Sequence, residues 1–138
     1  MMIDSLIPQN HLVSRLDDIL DFSFIADITW DYGGESSDIS PEFIARYLLL
    51  IYLYDLERKT PALLDMQSRI DQQFASNMAY RWFVKVDIGE DMPKFDDVIN
   101  IAEKLGGRGI WDAIIKRLLR TCAENGLPNK QGGALYID

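Results

Sequence analysis

One cysteine, Cys122, and one histidine, His11, stand in a chain of 138 residues. An internal disulfide is therefore impossible, the lone thiol fits a reducing compartment, and no Cys/His zinc cluster can be assembled within one copy. Cations are also scarce: 14 Lys and Arg face 22 Asp and Glu, for a formal net charge of −8. Neutralising phosphates supplies most non-specific nucleic-acid affinity, so this balance excludes a generically basic binder. Long apolar runs are missing too. The longest, Tyr47 to Tyr54, falls far short of the roughly 20 residues that span a bilayer. The start, Met-Met-Ile-Asp-Ser-Leu-Ile-Pro, has no basic leader before an apolar run, so no secretory signal is read there and a soluble, cytoplasmic protein is expected.

What is present is 48% apolar content, enough for one domain with a core that needs no staples. The charge is uneven. Residues 1–80 hold five of the 14 cations and 13 of the 22 acids, whereas residues 81–138 hold nine of each. Within that balanced half, Lys104, Arg108, Lys116, Arg117 and Arg120 face a single acid, Asp112, between positions 104 and 120. A polyanion, if one is bound, meets this segment.

Periodicity places the elements. Leu12, Leu16, Ile19 and Leu20 recur at helical spacing from Asn10, and a second short helix starts at Ser23 as N-cap, runs through Phe24, Ile25 and Ile28, and stops at Gly33-Gly34. The acids on both read as a solvated face. Ser40-Pro41 reads as an N-cap with proline at the first helical position, opening a helix to about Leu56 that is apolar almost all round and predicted to be central. The polar turn Glu57-Arg58-Lys59-Thr60 leads into a second Thr-Pro start at Pro61. That order is the skeleton of a helix-turn-helix, or of a plain helical hairpin, and Arg69 is the only cation among the positions predicted to be exposed on its second helix.

The helical pattern from Pro61 runs into Asn77–Asp87, where Tyr80, Trp82 and Phe83 surround Arg81. Each helical step turns about 100°, so three aromatics in four residues must reach different neighbours. Arg81 then either caps carbonyls inside the fold or faces a phosphate. A further helix follows Pro93, with Asp96 and Asp97 in its first turn as caps, and Gly106-Gly107-Arg108-Gly109 ends it without the lysine of a phosphate-binding loop. The last helix, from Ile110 to about Asn125, is expected to bury the stripe Ile110, Trp111, Ile114, Ile115, Leu118, Leu119 and Cys122. It turns out Asp112, Lys116, Arg117, Arg120 and Glu124, with Asp112–Lys116 and Arg120–Glu124 spaced to neutralise each other. On that stripe Cys122 reads as inert core. Asn125-Gly126-Leu127-Pro128 stops the helix. Finally, Ala134 to Asp138 reads as a strand with no partner in an otherwise helical chain.

The order of these motifs resembles the N-terminal helical region of bacterial insertion-sequence transposases of the IS-five group. The resemblance rests on four pieces: Leu6-Ile7-Pro8-Gln9-Asn10-His11-Leu12-Val13, Ser40-Pro41 ahead of Leu48-Leu49-Leu50-Ile51-Tyr52-Leu53-Tyr54, Met78-Ala79-Tyr80-Arg81-Trp82-Phe83, and Ala134-Leu135-Tyr136-Ile137-Asp138. It implies that the helical region precedes an RNase H-like domain that cuts and joins DNA with three acidic residues and two divalent metals. It makes Asp138 the first of those acids. Two-metal chemistry needs the remaining carboxylates to hold ions about 4 Å apart, so the chain as given is expected to be catalytically inactive, with no cofactor of its own and a divalent metal only where the catalytic domain is present. This sequence departs from the pattern at Pro93-Lys94-Phe95-Asp96-Asp97-Val98 and on to Asn100, Glu103 and Lys104, where the family carries more cations.

The expectation is an all-α bundle of about six helices with a helix-turn-helix-like hairpin and a short C-terminal strand. It divides into a helical domain over residues 1–128 and a first-strand remnant over 129–138. Its expected work is to bind DNA and assemble transposon ends through Lys104, Arg108, Lys116, Arg117 and Arg120, with Arg81 as a further contact. The alternative is a truncated acidic relative that acts through protein contacts, as a homodimer or on a transposase partner, without DNA. No membrane is involved.

Overall fold

The computed structural model describes residues 7–8, 11–32, 39–57 and 65–127. Those residues form seven α-helices: α1 (Leu12–Ile19), α2 (Phe24–Thr29), α3 (Pro41–Leu53), α4 (Met66–Ser76), α5 (Met78–Val84), α6 (Phe95–Lys104) and α7 (Gly107–Glu124). A short 3₁₀ turn, Trp30–Tyr32, extends α2. The all-helical class is as expected, and no strand occurs among the described residues. The strand predicted at Ala134–Asp138, the stop at Gly33-Gly34 and the helix start at Thr60-Pro61 lie outside them.

The central helix is α3. Ser40 Oγ accepts from the Phe43 N–H at 3.1 Å and Pro41 occupies the first turn, so both sequence signals act as read. Packing against α2, α5, α6 and α7 leaves Ile44, Leu49, Leu50 and Leu53 fully enclosed. Each such side chain contributes about 2 kcal/mol through the water it leaves. The helix ends earlier than predicted, at Leu53, because Asp55 takes a left-handed conformation with φ 53°.

The helix-turn-helix-like hairpin is not found among the described residues. Beyond α3 the next described helix, α4, starts at Met66, with Asp65 Oδ1 accepting from the Ser68 N–H at 2.7 Å, and the predicted turn after Glu57 lies outside the described residues. The principal neighbours of α4 are α5 and α6. α3 and α4 are joined instead by the stack of Tyr47 on Phe74, 4.0 Å between centroids, and by Arg69, which is buried and donates to the Leu56 and Glu57 carbonyls at the end of α3. The cation expected on the exposed face of α4 thus faces inward.

The single helix predicted through the aromatic stretch is also broken. Asn77 adopts ψ 114°, donates its N–H to Gln73 O at 2.9 Å to close α4, and accepts from the Tyr80 N–H at 3.1 Å to open α5. A short polar side chain that competes with the helix for its own backbone does both jobs. The break sends the aromatics to different neighbours: Tyr80 meets Tyr54 and Phe74, Phe83 meets Phe22, and Trp82 lies under the Lys85 ammonium.

Candidate nucleic-acid interface

The α6–α7 joint positions the basic segment. Gly106 sits at φ 107°, and a Cβ there would come within 3.0 Å of the Ile110 side chain, so only glycine permits the chain to turn this tightly. The glycine cluster was read as the end of one helix; it is equally the start of the next, since α7 begins at Gly107. Trp111 Nε1 donates to the Ala102 carbonyl at 3.0 Å and pins α7 to α6. The predicted stripe of Trp111, Ile114, Ile115, Leu118, Leu119 and Cys122 is buried, which fixes the rotation of α7 about its axis. At the far end Leu127 N donates to Cys122 O at 2.8 Å and Gly126 has φ 70°, the left-handed stop that Asn125-Gly126-Leu127 suggests.

That rotation leaves Arg108, Lys116, Arg117 and Arg120 on the outside, and Lys104 exposed in the last turn of α6. Arg108 Nε is 4.0 Å from Asp112 Oδ2, with both side chains largely in water, so the pair contributes little. The neutralisation expected from Asp112–Lys116 and Arg120–Glu124 does not form. Asp112 turns toward Arg108, and among the described residues Lys104, Lys116 and Arg120 have no ion-pair partner. Lys116 and Arg120 are one turn apart, about 6 Å along the axis. Arg117 Cζ lies 3.8 Å from the centroid of Phe24 at the start of α2. Beside it, the Ser23 backbone N–H and hydroxyl, with Arg117 adding a smaller attraction, hold Asp21 below the usual carboxylate range.

The remaining arginines are differently placed. Arg81 Nε donates to Ala75 O at 2.7 Å, and Nη1 to Asp87 O at 2.9 Å and Glu90 O at 3.1 Å, so its guanidinium ties the end of α4 to the loop after α5. Of the two roles open to it, the carbonyl cap is the one the geometry displays. Arg46 escaped the sequence reading altogether. It is buried on α3, bridges Asp17 at 2.8 Å and Glu42 at 2.9 Å, and donates to Phe83 O at 2.9 Å between the rings of Phe22 and Phe83. Only its being the one cation in an otherwise mostly apolar helix could have flagged it.

Among the described residues no three His, Cys, Asp or Glu side chains gather to hold a metal. Burial pushes the Cys122 thiol up to about 11, which suppresses the thiolate a nucleophile needs. A groove of about 240 Å³ between α3 and α7 has an apolar floor of Ile51, Trp111, Ile115 and Leu119, with Lys116 on its lip. Asp138 lies outside the described residues. No helix among them is long and apolar enough to cross a membrane.

Compared with known proteins, the chain matches a family model described as a transposase domain, DUF772, over residues 1–103. That span takes in α1 to α5 and nearly all of α6, and stops short of α7. No curated protein and no solved structure gives a match.

Proposed function

Because the chain belongs to the DUF772 transposase-domain family, we propose that it serves a transposase-like protein as a DNA-holding and assembly module, with the outer face of α7 and the end of α6 against the phosphate backbone. The observation that carries this reading is the set Lys104, Lys116 and Arg120. These cations are exposed and unpaired among the described residues of an otherwise acidic chain, on helices whose buried faces fix where they point. Arg108 and Arg117 flank them. Phosphate contacts of this kind set affinity and register without reading sequence. The acids of α1 and α2 repel the duplex elsewhere, so contact is confined to one face. The IS-five-group likeness gives the DNA its expected identity, the ends of an insertion sequence, and in this reading the chain holds DNA and cuts nothing.

The test is fluorescence anisotropy of a labelled duplex. The wild-type chain binds at low salt, and Lys116→Glu with Arg120→Glu abolishes binding while the helical circular dichroism is unchanged. Equal affinity of the two proteins would reject the assignment. The second reading, an acidic relative that works through protein contacts, draws on a different observation, the exposure of Trp30 and Tyr32.

A further inference from the structure

Trp30 is 61% exposed and Tyr32 48%, the two most exposed large apolar side chains among the described residues. Both stand on the 3₁₀ turn that extends α2, and Asp27 and Asp31 are exposed beside them. Between Asp21 and Tyr32 there are three acids and no cation. Tryptophan and tyrosine in the open are the residues that most often anchor protein contacts, and flanking carboxylates make this surface repel DNA and attract cations.

The molecule contains the matching surface, and already shows the pairing once. Arg117 lies over the Phe24 ring, a guanidinium on an aromatic face, with the Asp21 carboxylate near enough to feel a small part of its charge. Trp30, with Asp27 and Asp31, repeats that aromatic-plus-acid pattern about 9 Å further along the same segment. Lys116 and Arg120, on the helix that carries Arg117, have no ion-pair partner among the described residues. An acidic aromatic patch and a basic stripe that adjoin at the Phe24–Arg117 contact are self-complementary under a two-fold rotation: the patch of one copy meets the stripe of the other, and the reverse holds by symmetry.

We propose that the surface formed by Trp30, Tyr32, Asp27 and Asp31 docks a second copy of this chain, receiving its Lys116 and Arg120 by cation–π contact and ion pairing. The resulting dimer covers the same cations that the DNA reading uses, so self-association and duplex binding compete. The inference does not depend on that reading, since it stands on the aromatic patch.

Charge reversal tests it in sedimentation equilibrium at low salt, with circular dichroism to verify the fold. Wild type is a dimer that dissociates as salt rises. Asp27→Lys with Asp31→Lys is monomeric, and so is Lys116→Glu with Arg120→Glu, each with a dissociation constant raised at least about tenfold by like-charge contact. Mixing the two variants restores a dimer, because the reversed patch of one now faces the reversed stripe of the other. Trp30→Ala weakens the wild-type dimer without altering charge. A wild type that stays monomeric, variants that still dimerise, or a mixture that stays monomeric would each overturn the proposal. Duplex binding separates the two claims: Asp27→Lys with Asp31→Lys keeps the basic stripe and still binds DNA if that reading holds, whatever its oligomeric state.

Discussion

Arg46 and Arg117 each lie over a phenylalanine, Phe22 in the connector before α2 and Phe24 at the start of α2, and the two contacts do opposite work. The Arg46 guanidinium is 4.3 Å from the Phe22 centroid, almost fully buried, and its remaining donors end on Asp17, Glu42 and the Phe83 carbonyl. At 3.8 Å from Phe24, Arg117 is the closer of the two, yet its side chain is exposed. Cation–π attraction amounts to about 2 kcal/mol when desolvated and about 0.5–1 kcal/mol in water. The difference lies in burial and in what else the guanidinium reaches, and it separates the arginines that hold this fold from the cations left to meet something outside it.

Breaking the inner set should cost most. Arg46→Ala removes a buried cation from two rings, two carboxylates and a carbonyl, though Asp17 and Glu42 can partly rehydrate. A loss of about 3 kcal/mol is expected in urea unfolding, with DNA affinity of the folded fraction unchanged. Reversing the outer set with Lys116→Glu and Arg120→Glu should weaken duplex binding by about a hundredfold or more while the urea midpoint stays within error. Arg81→Ala sharpens the division, because its three carbonyl bonds place it with the inner set. It should lower stability by about 1–2 kcal/mol and leave anisotropy titrations unaltered; the converse pattern would move Arg81 to the outer set. The smallest effect is at Tyr47. Its hydroxyl is buried with no partner among the described residues, and burial, with Asp71 nearby, raises its pKa far above the usual tyrosine value. Tyr47→Phe should therefore be neutral or stabilising by up to about 1 kcal/mol, read from the same unfolding curves.

The division was only half legible in the sequence. Apolar periodicity located α1, α3, α6 and α7 because each buries one face or nearly all of itself, and the caps at Ser40 and Asn125-Gly126 acted as their residue types suggest. The outer cations followed from the buried stripe of α7, since fixing one side of a helix fixes the other. What a linear reading cannot supply is long-range pairing. Arg69 looked like a surface cation until the carbonyls it reaches, at Leu56 and Glu57, were brought beside it by the fold, and the carbonyl-capping role open to Arg81 acquires its acceptors, Ala75, Asp87 and Glu90, only there. Arg46 was hidden by an apolar run for the same reason. Asn77, polar and short, was the available clue that the aromatic stretch is a separate helix, and the periodicity around it concealed the break.

Salt dependence tests the outer set most directly. A labelled duplex titrated with the wild-type chain over a range of salt should give a plot of log affinity against log salt with a slope of about −3 to −4, as three or four phosphates are neutralised. Lys116→Ala should reduce that slope by about 0.9 while leaving the fold intact. No binding at the lowest salt, or a slope that ignores Lys116, would contradict the assignment of this face to DNA.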